Sequence, residues 1–175
     1  MQSYAGFWQR VRAFAFDYFL IAIYLICITL LFWLMSRFLN LNQWLFTDRV
    51  WAQTAAFFIV TLPVTLYFVI QEASPKQATW GKQRLGLKVV DRNGNRISFL
   101  RAFARTLLKF IPWEISHTLL WEIAFSTGSL PAFINYGYTL VYLLIGLNIA
   151  SLVMTKTNQT LYDLLAGAYV LQQPS

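Results

Sequence analysis

Three stretches without a single Lys, Arg, Asp or Glu govern what this chain can fold into: Tyr18 to Ser36, Val50 to Gln71 and Ile134 to Thr155. At roughly 1.5 Å per residue, each is about as long as a helix must be to cross a hydrocarbon core some 30 Å thick. The rest of the chain cannot bury them in water: of 175 residues, 58% are hydrophobic and 12% charged, against about a quarter charged in an ordinary soluble domain. The sequence is therefore that of an all-α membrane protein, read as one domain over residues 1–175, because no linker or internal repeat divides it. The first run is too long for the apolar part of a cleaved signal peptide, and residues 32–42 offer no small-residue cut site, so it stays in the membrane.

A fourth run, Phe110 to Phe125, is apolar and aromatic but contains Glu114, His117 and Glu122. Charge placement decides how it is read. Arg10 and Arg12 precede the first run, Lys76, Lys82, Arg84, Lys88, Arg92, Arg96, Arg101, Arg105 and Lys109 lie between the second and the fourth candidate, and Lys156 follows the last. Positive residues in short loops stay cytoplasmic, and counting Phe110–Phe125 as a span puts 12 of the 14 Lys and Arg on one side, with only Arg37 and Arg49 opposite. The expected fold is a four-helix transmembrane bundle with spans near 16–36, 50–71, 110–125 and 134–155. Residues 72–109 form a basic cytoplasmic loop, and both termini are cytoplasmic. Pro63 predicts a kink in the second span, tolerated where Thr61 or a neighbouring helix serves the freed carbonyl. The seven tryptophans, Trp44 among them, fit interfacial belts.

The loop has a pattern of its own. Leu87–Val90 reads as a strand, Asn93-Gly94 as a hairpin turn and Arg96–Phe99 as the returning strand, a short cytoplasmic β-hairpin. Ser98 is placed to cap a helix in which Arg101, Arg105 and Lys109 recur every four residues. That stripe predicts an interfacial amphipathic helix whose basic face meets anionic lipid headgroups, bent or stopped at Pro112.

Three blocks now resemble a known family. GFWQRVRAFAFD at 6–17, ATWGKQRLGLKVVD at 78–91 and QTLYDLLAG at 159–167 are similar, in order, to the signature blocks of the RDD family of bacterial membrane proteins. The family is named for one arginine and two aspartates, and the resemblance places them at Arg10, Asp17 and Asp163. A histidine is common just before the second aspartate; here that position is Tyr162. The resemblance implies a multi-pass protein of the bacterial plasma (inner) membrane, with transport or cation/proton exchange suggested for some members.

Physical chemistry narrows the roles of these residues. Arg10 and Asp17 lie two helical turns apart, about 10 Å along one face, so each must meet a third group rather than the other. A carboxylate at the edge of lipid costs about 2.5–3.5 kcal/mol on insertion scales and needs a partner; for Asp17 the candidates are Lys82, Arg101 and Arg105. Asp163 stands at capping-box spacing from Thr160. Glu114 and His117 share a helix face near mid-depth and, with Asp17 and Glu122, are the candidate ion pathway. The Glu114-x-x-His117 pair also resembles half of a carboxylate-bridged metal site, but one histidine cannot complete it, and no metal or other cofactor is expected. Cys27 alone builds neither a disulfide nor a thiolate cage. Phosphate loops and nucleophile elbows are missing, which argues against an enzyme, and the +7 net charge borders apolar runs rather than forming a nucleic-acid surface. Two functions from different classes remain: a small-solute or cation/proton transporter, working as a homo-oligomer because four helices leave little room for a path, and an accessory or assembly subunit that docks a protein partner through its basic loop.

Overall fold

The computed structural model describes residues 3–39 and 45–173; Trp44 lies outside the described residues. Helix α1 (Phe7–Ser36) is 30 residues long and buries only Ala13 and Asp17 within the chain. Apolar side chains such as Phe19, Ile26, Leu30 and Trp33 point outward, as they do when hydrocarbon is the solvent. Helix α2 spans Arg49–Glu72 and is interrupted by a π-helical turn at Phe57–Thr61, immediately before Pro63. Proline has no N–H for the carbonyl four residues back, and that carbonyl, Ile59 O, accepts from the Tyr24 hydroxyl of α1 at 2.6 Å. The kink expected at Pro63 thus takes the form of a widened turn.

Helix α3 (Trp80–Arg84) and strand β2 (Leu87–Val90) follow, then helix α4 (Phe99–Phe125), capped by Ser98 Oγ accepting from the Arg101 N–H at 3.2 Å. It runs unbroken through Pro112. Helix α5 (Phe133–Met154) packs on α4 closely: a Cβ on Gly137 would stand 2.7 Å from Leu119 Cδ1. Helix α6 (Leu161–Ala166) ends at Gly167, whose φ of 60° is the left-handed cap that favours glycine. Among the described residues three helices, α1, α2 and α5, are long and apolar enough to cross a membrane; α4 has the length but carries charge.

The expected hairpin is corrected. β2 pairs antiparallel with a C-terminal strand, β3 (Tyr169–Gln172), with Val89 opposite Val170. β3 also pairs with β1 (Ser3–Tyr4), giving the order β1-β3-β2. The Asn93-Gly94 turn does form, with Gly94 at φ +80° and its N–H donating to Asp91 O at 3.1 Å, but the return is one bridge between Val90 and Arg96. After that bridge the Ser98 cap commits the chain to α4, so no second strand can grow.

The packed core lies in this cap rather than among the long helices. Ala5, Ala13, Val69, Leu87, Val89, Ile97, Ala102, Ala168 and Val170 form one cluster drawn from both chain ends, the loop and the adjoining helix ends.

Candidate functional site

Under the small sheet lies a buried ionic chain. Glu72, the last residue of α2, is fully buried; its Oε1 accepts from Lys82 Nζ on α3 and its Oε2 from Arg105 Nη1 on α4. Arg105 turns its remaining nitrogens to Asp163 on α6: Nε donates to Oδ1 at 2.8 Å and Nη2 lies 2.7 Å from the same atom. The other oxygen, Oδ2, accepts from Arg10 Nη1 of α1 at 2.6 Å. Arg10 spends its other donors on backbone carbonyls, Nε on Ala5 and Nη2 on Asn158. Five elements are thereby tied through two carboxylates. The planar, forked guanidinium makes this possible, since a lysine could not serve two acceptors in fixed directions.

Asp163 also closes a capping box, its N–H donating to Thr160 Oγ1 and its Oδ2 accepting from the Thr160 N–H, each at 3.3 Å. Burial would raise this carboxyl, but the Arg105 and Arg10 guanidiniums beside it hold it below the ordinary carboxylate range. Burial works against the charge on Arg105 too, and Asp163 and Glu72 reverse it, leaving the guanidinium more firmly protonated than usual. The Arg105 guanidinium stacks 5.1 Å from the Tyr162 ring centre, and burial, with Asp163 adjacent, raises the phenol.

Asp17 forms a second, separate node. Its partners are not Lys82, Arg101 or Arg105 but uncharged donors: Thr79 Oγ1 at 2.6 Å, Tyr67 Oη at 2.7 Å and the Gly81 N–H at 2.7 Å. The Tyr67 hydroxyl in turn accepts from the Trp80 N–H. Asp17 therefore caps the start of α3, where unpaired N–H groups favour a carboxylate. The approach leaves no space for a side chain: a Cβ on Gly81 would lie 2.0 Å from Ala13 O. Lys82 faces away, toward Glu72, which leaves Arg10 and Asp17 engaged through different neighbours.

The basic stripe is corrected in part. Every fourth residue advances about 40° around a helix, so the stripe winds off one face: Arg101 is exposed, Arg105 is 2% exposed inside the ionic chain, and Lys109 sits among aromatic rings, Nζ 3.5 Å from the centre of Phe68. Arg105 thus cannot reach headgroups.

The remaining candidates divide into two places. Thr61, at the end of the π turn, donates to Glu114 Oε1 at 2.8 Å, and His117 Nδ1 lies 3.9 Å from that oxygen, its ring 4.6 Å from Trp113. Glu122 instead pairs with Arg49 at 3.1 Å, at the other end of the long helices from the ionic chain. No group of three or more His, Cys, Asp or Glu side chains suited to a metal occurs among the described residues. Sequence reasoning overlooked Glu72, Tyr67 and Thr79. Glu72 had a signal, since it is the first acid after an uncharged run and opens a loop rich in cations.

Comparison with known proteins agrees with the three sequence blocks. The profile of the RDD family matches residues 4–167. The uncharacterised protein YckC of Bacillus subtilis (strain 168) is 25% identical over 166 residues, which cover 95% of this chain and 83% of that one. No solved structure matches. With the matched region taking in all three named positions, Arg10, Asp17 and Asp163, this chain belongs to the RDD family of membrane proteins.

Proposed function

We propose a plasma-membrane protein with four spans and both termini cytoplasmic, whose non-enzymatic role is small-cation or proton transport at the Thr61, Glu114 and His117 cluster. The span count is supported by parity. β1, β2 and β3 share one sheet, so they lie on one side of the membrane and an even number of crossings separates each from the next. α1 and α2 supply the first pair. α5 is apolar enough to cross, and an even count pairs α4 with it, the acids of α4 being shielded by Thr61 and Arg49. Cations concentrated beside the sheet support a cytoplasmic assignment for that side.

The observation that carries the transport reading is the Thr61–Glu114 hydrogen bond across the π turn of α2. Ionisable groups within spans mark pathways, and π turns recur at functional sites. Asp17, with three donors already bound, belongs to the structural clamp and leaves the pathway; Glu122, paired with Arg49, marks its outer end. The test is ion flux in proteoliposomes under a proton gradient, with sodium or potassium outside. Glu114→Gln should abolish flux while the protein remains inserted and monodisperse. Flux equal to wild type in that variant, or no wild-type flux above empty vesicles, overturns the reading.

A second reading is an accessory subunit. It is favoured by the exposed turn carrying Arg92 and Arg96 at the free end of the β2–β3 pair, a rigid basic knob suited to an acidic partner. Replacing Lys88, Arg92 and Arg96 should then remove a protein that co-purifies in mild detergent. The outward apolar faces of α1 and α5 are available to lipid or to further copies of the chain.

A further inference from the structure

Beside the ionic chain, between α4, α5 and α6, is a cavity of about 340 Å³. Its walls are largely apolar, with Phe14, Trp113, Ile145 and Leu152 among them, and Lys109 stands in its lining. The charge inventory singles this lysine out. Of the three buried acids, Glu72 and Asp163 hold the three cations Arg10, Lys82 and Arg105, and Asp17 is bound by neutral donors, so all six already have their partners. Lys109 is the seventh group. Among the described residues it has no hydrogen bond or ion pair and rests only against the rings of Phe14, Phe68 and Phe110. A second polar group in the wall is also unfulfilled: Asn148 donates its amide N–H to Leu144 O at 2.8 Å, and its buried Oδ1 has no donor among the described residues.

We propose that this cavity holds an anionic phospholipid of the cytoplasmic leaflet, its phosphate on the Lys109 ammonium and an acyl chain along the Val141, Ile145 and Ile149 side of α5. Lys109 is the last residue before the third span, which puts the ammonium at headgroup depth, and the apolar walls continue into the lipid-facing surface of α5. A single excess cation in such walls calls for one anion with a hydrocarbon tail, not for a hydrated inorganic ion. Burial, with Lys82 close by, pushes Lys109 down to about 7; a bound phosphate would restore its charge. The assignment rests on the four-span topology above but not on transport.

The full-length protein in neutral detergent should be titrated with phosphatidylglycerol, phosphatidylcholine and glycerol 3-phosphate, reading thermal unfolding and lipid retained by native mass spectrometry. Wild type should retain one phosphatidylglycerol and gain several degrees over phosphatidylcholine, and Lys109→Gln should lose both differences. Arg101→Gln, on the exposed face, controls for general headgroup attraction and should behave as wild type. Equal effects of the two lipids, an undiminished preference in Lys109→Gln, or the same stabilisation by glycerol 3-phosphate would each overturn the assignment, the last pointing to a free-phosphate site. Because the readout is binding, absence of ion flux leaves it standing.

Discussion

Arg10 and Asp163 are 153 positions apart in the chain and 2.6 Å apart in space, the arginine on the first turn of α1 and the aspartate in the capping box of α6. Two of the three residues that the resemblance assigns to the family's signature therefore form one bond that staples the chain's ends together beneath the sheet. Asp163→Asn leaves both Arg10 and Arg105 short of a charge partner in a buried site. Breaking a buried pair in this way costs about 3–5 kcal/mol. Thermal unfolding in detergent should show that loss. Arg10→Lys should cost about 1–3 kcal/mol, because an ammonium that reaches Asp163 abandons the Ala5 and Asn158 carbonyls.

The same bond sets an acid limit. Asp163 has a folded-state pKa below its unfolded value of roughly 3.9, so the unfolded chain binds the proton more readily than the folded one. Its contribution is complete above about pH 4 and is lost as pH falls through the lower folded value. The unfolding temperature of the wild type should be level from about pH 6, below the titration of Lys109, to about pH 5 and drop below about pH 4. Asp163→Asn should start lower and fall less steeply over the acid range, since the titrating group has gone. Parallel curves would mean that other carboxylates carry the acid response.

Gly81 tests the second node. Because a Cβ there would overlap Ala13 O and press on Asp17, Gly81→Ala must push α3 away from α1, lengthening the Gly81 N–H bond to Asp17 and disturbing those from Thr79 and Tyr67. Loss of monodisperse protein on size exclusion is the expected result. Gly128→Ala, where nothing lies within 4 Å of the added carbon, should elute as wild type.

How far the sequence foretold this depends on the range of the interaction. The three long apolar helices follow from unbroken apolar runs, and the Ser98 cap and the Thr160–Asp163 box from local spacing, where the residues concerned lie within a turn of one another. That Arg10 and Asp17 could not pair followed from helical rise alone. The partner of β2 did not follow: an Asn-Gly turn beside a strand favours the near neighbour, whereas β3 wins by pairing Val170 with Val89 and joining them to the buried cluster that includes Ala5 and Ala168. Glu72 was hidden for a similar reason. Its role depends on Lys82 and Arg105 arriving from two other elements, and no local pattern in the chain reports that meeting.

Arg49 and Glu122 provide the contrast with the buried clamp. Their side chains stand 3.1 Å apart but remain 37% and 31% exposed, at the end of the bundle remote from the sheet. Pairs held this loosely are worth about 0–1 kcal/mol, because solvent screens them and both side chains lose freedom to meet. A double-mutant cycle of Arg49→Ala and Glu122→Ala, read by thermal unfolding, should give a coupling below about 1 kcal/mol that shrinks further as salt is raised. The corresponding cycle of Arg10→Ala and Asp163→Ala should give a coupling severalfold larger and nearly insensitive to salt. If the two cycles agreed in size, the buried position of the Arg10–Asp163 bond would not be what gives it strength, and the clamp's hold on the chain ends would have to come from the β1–β3 pairing instead.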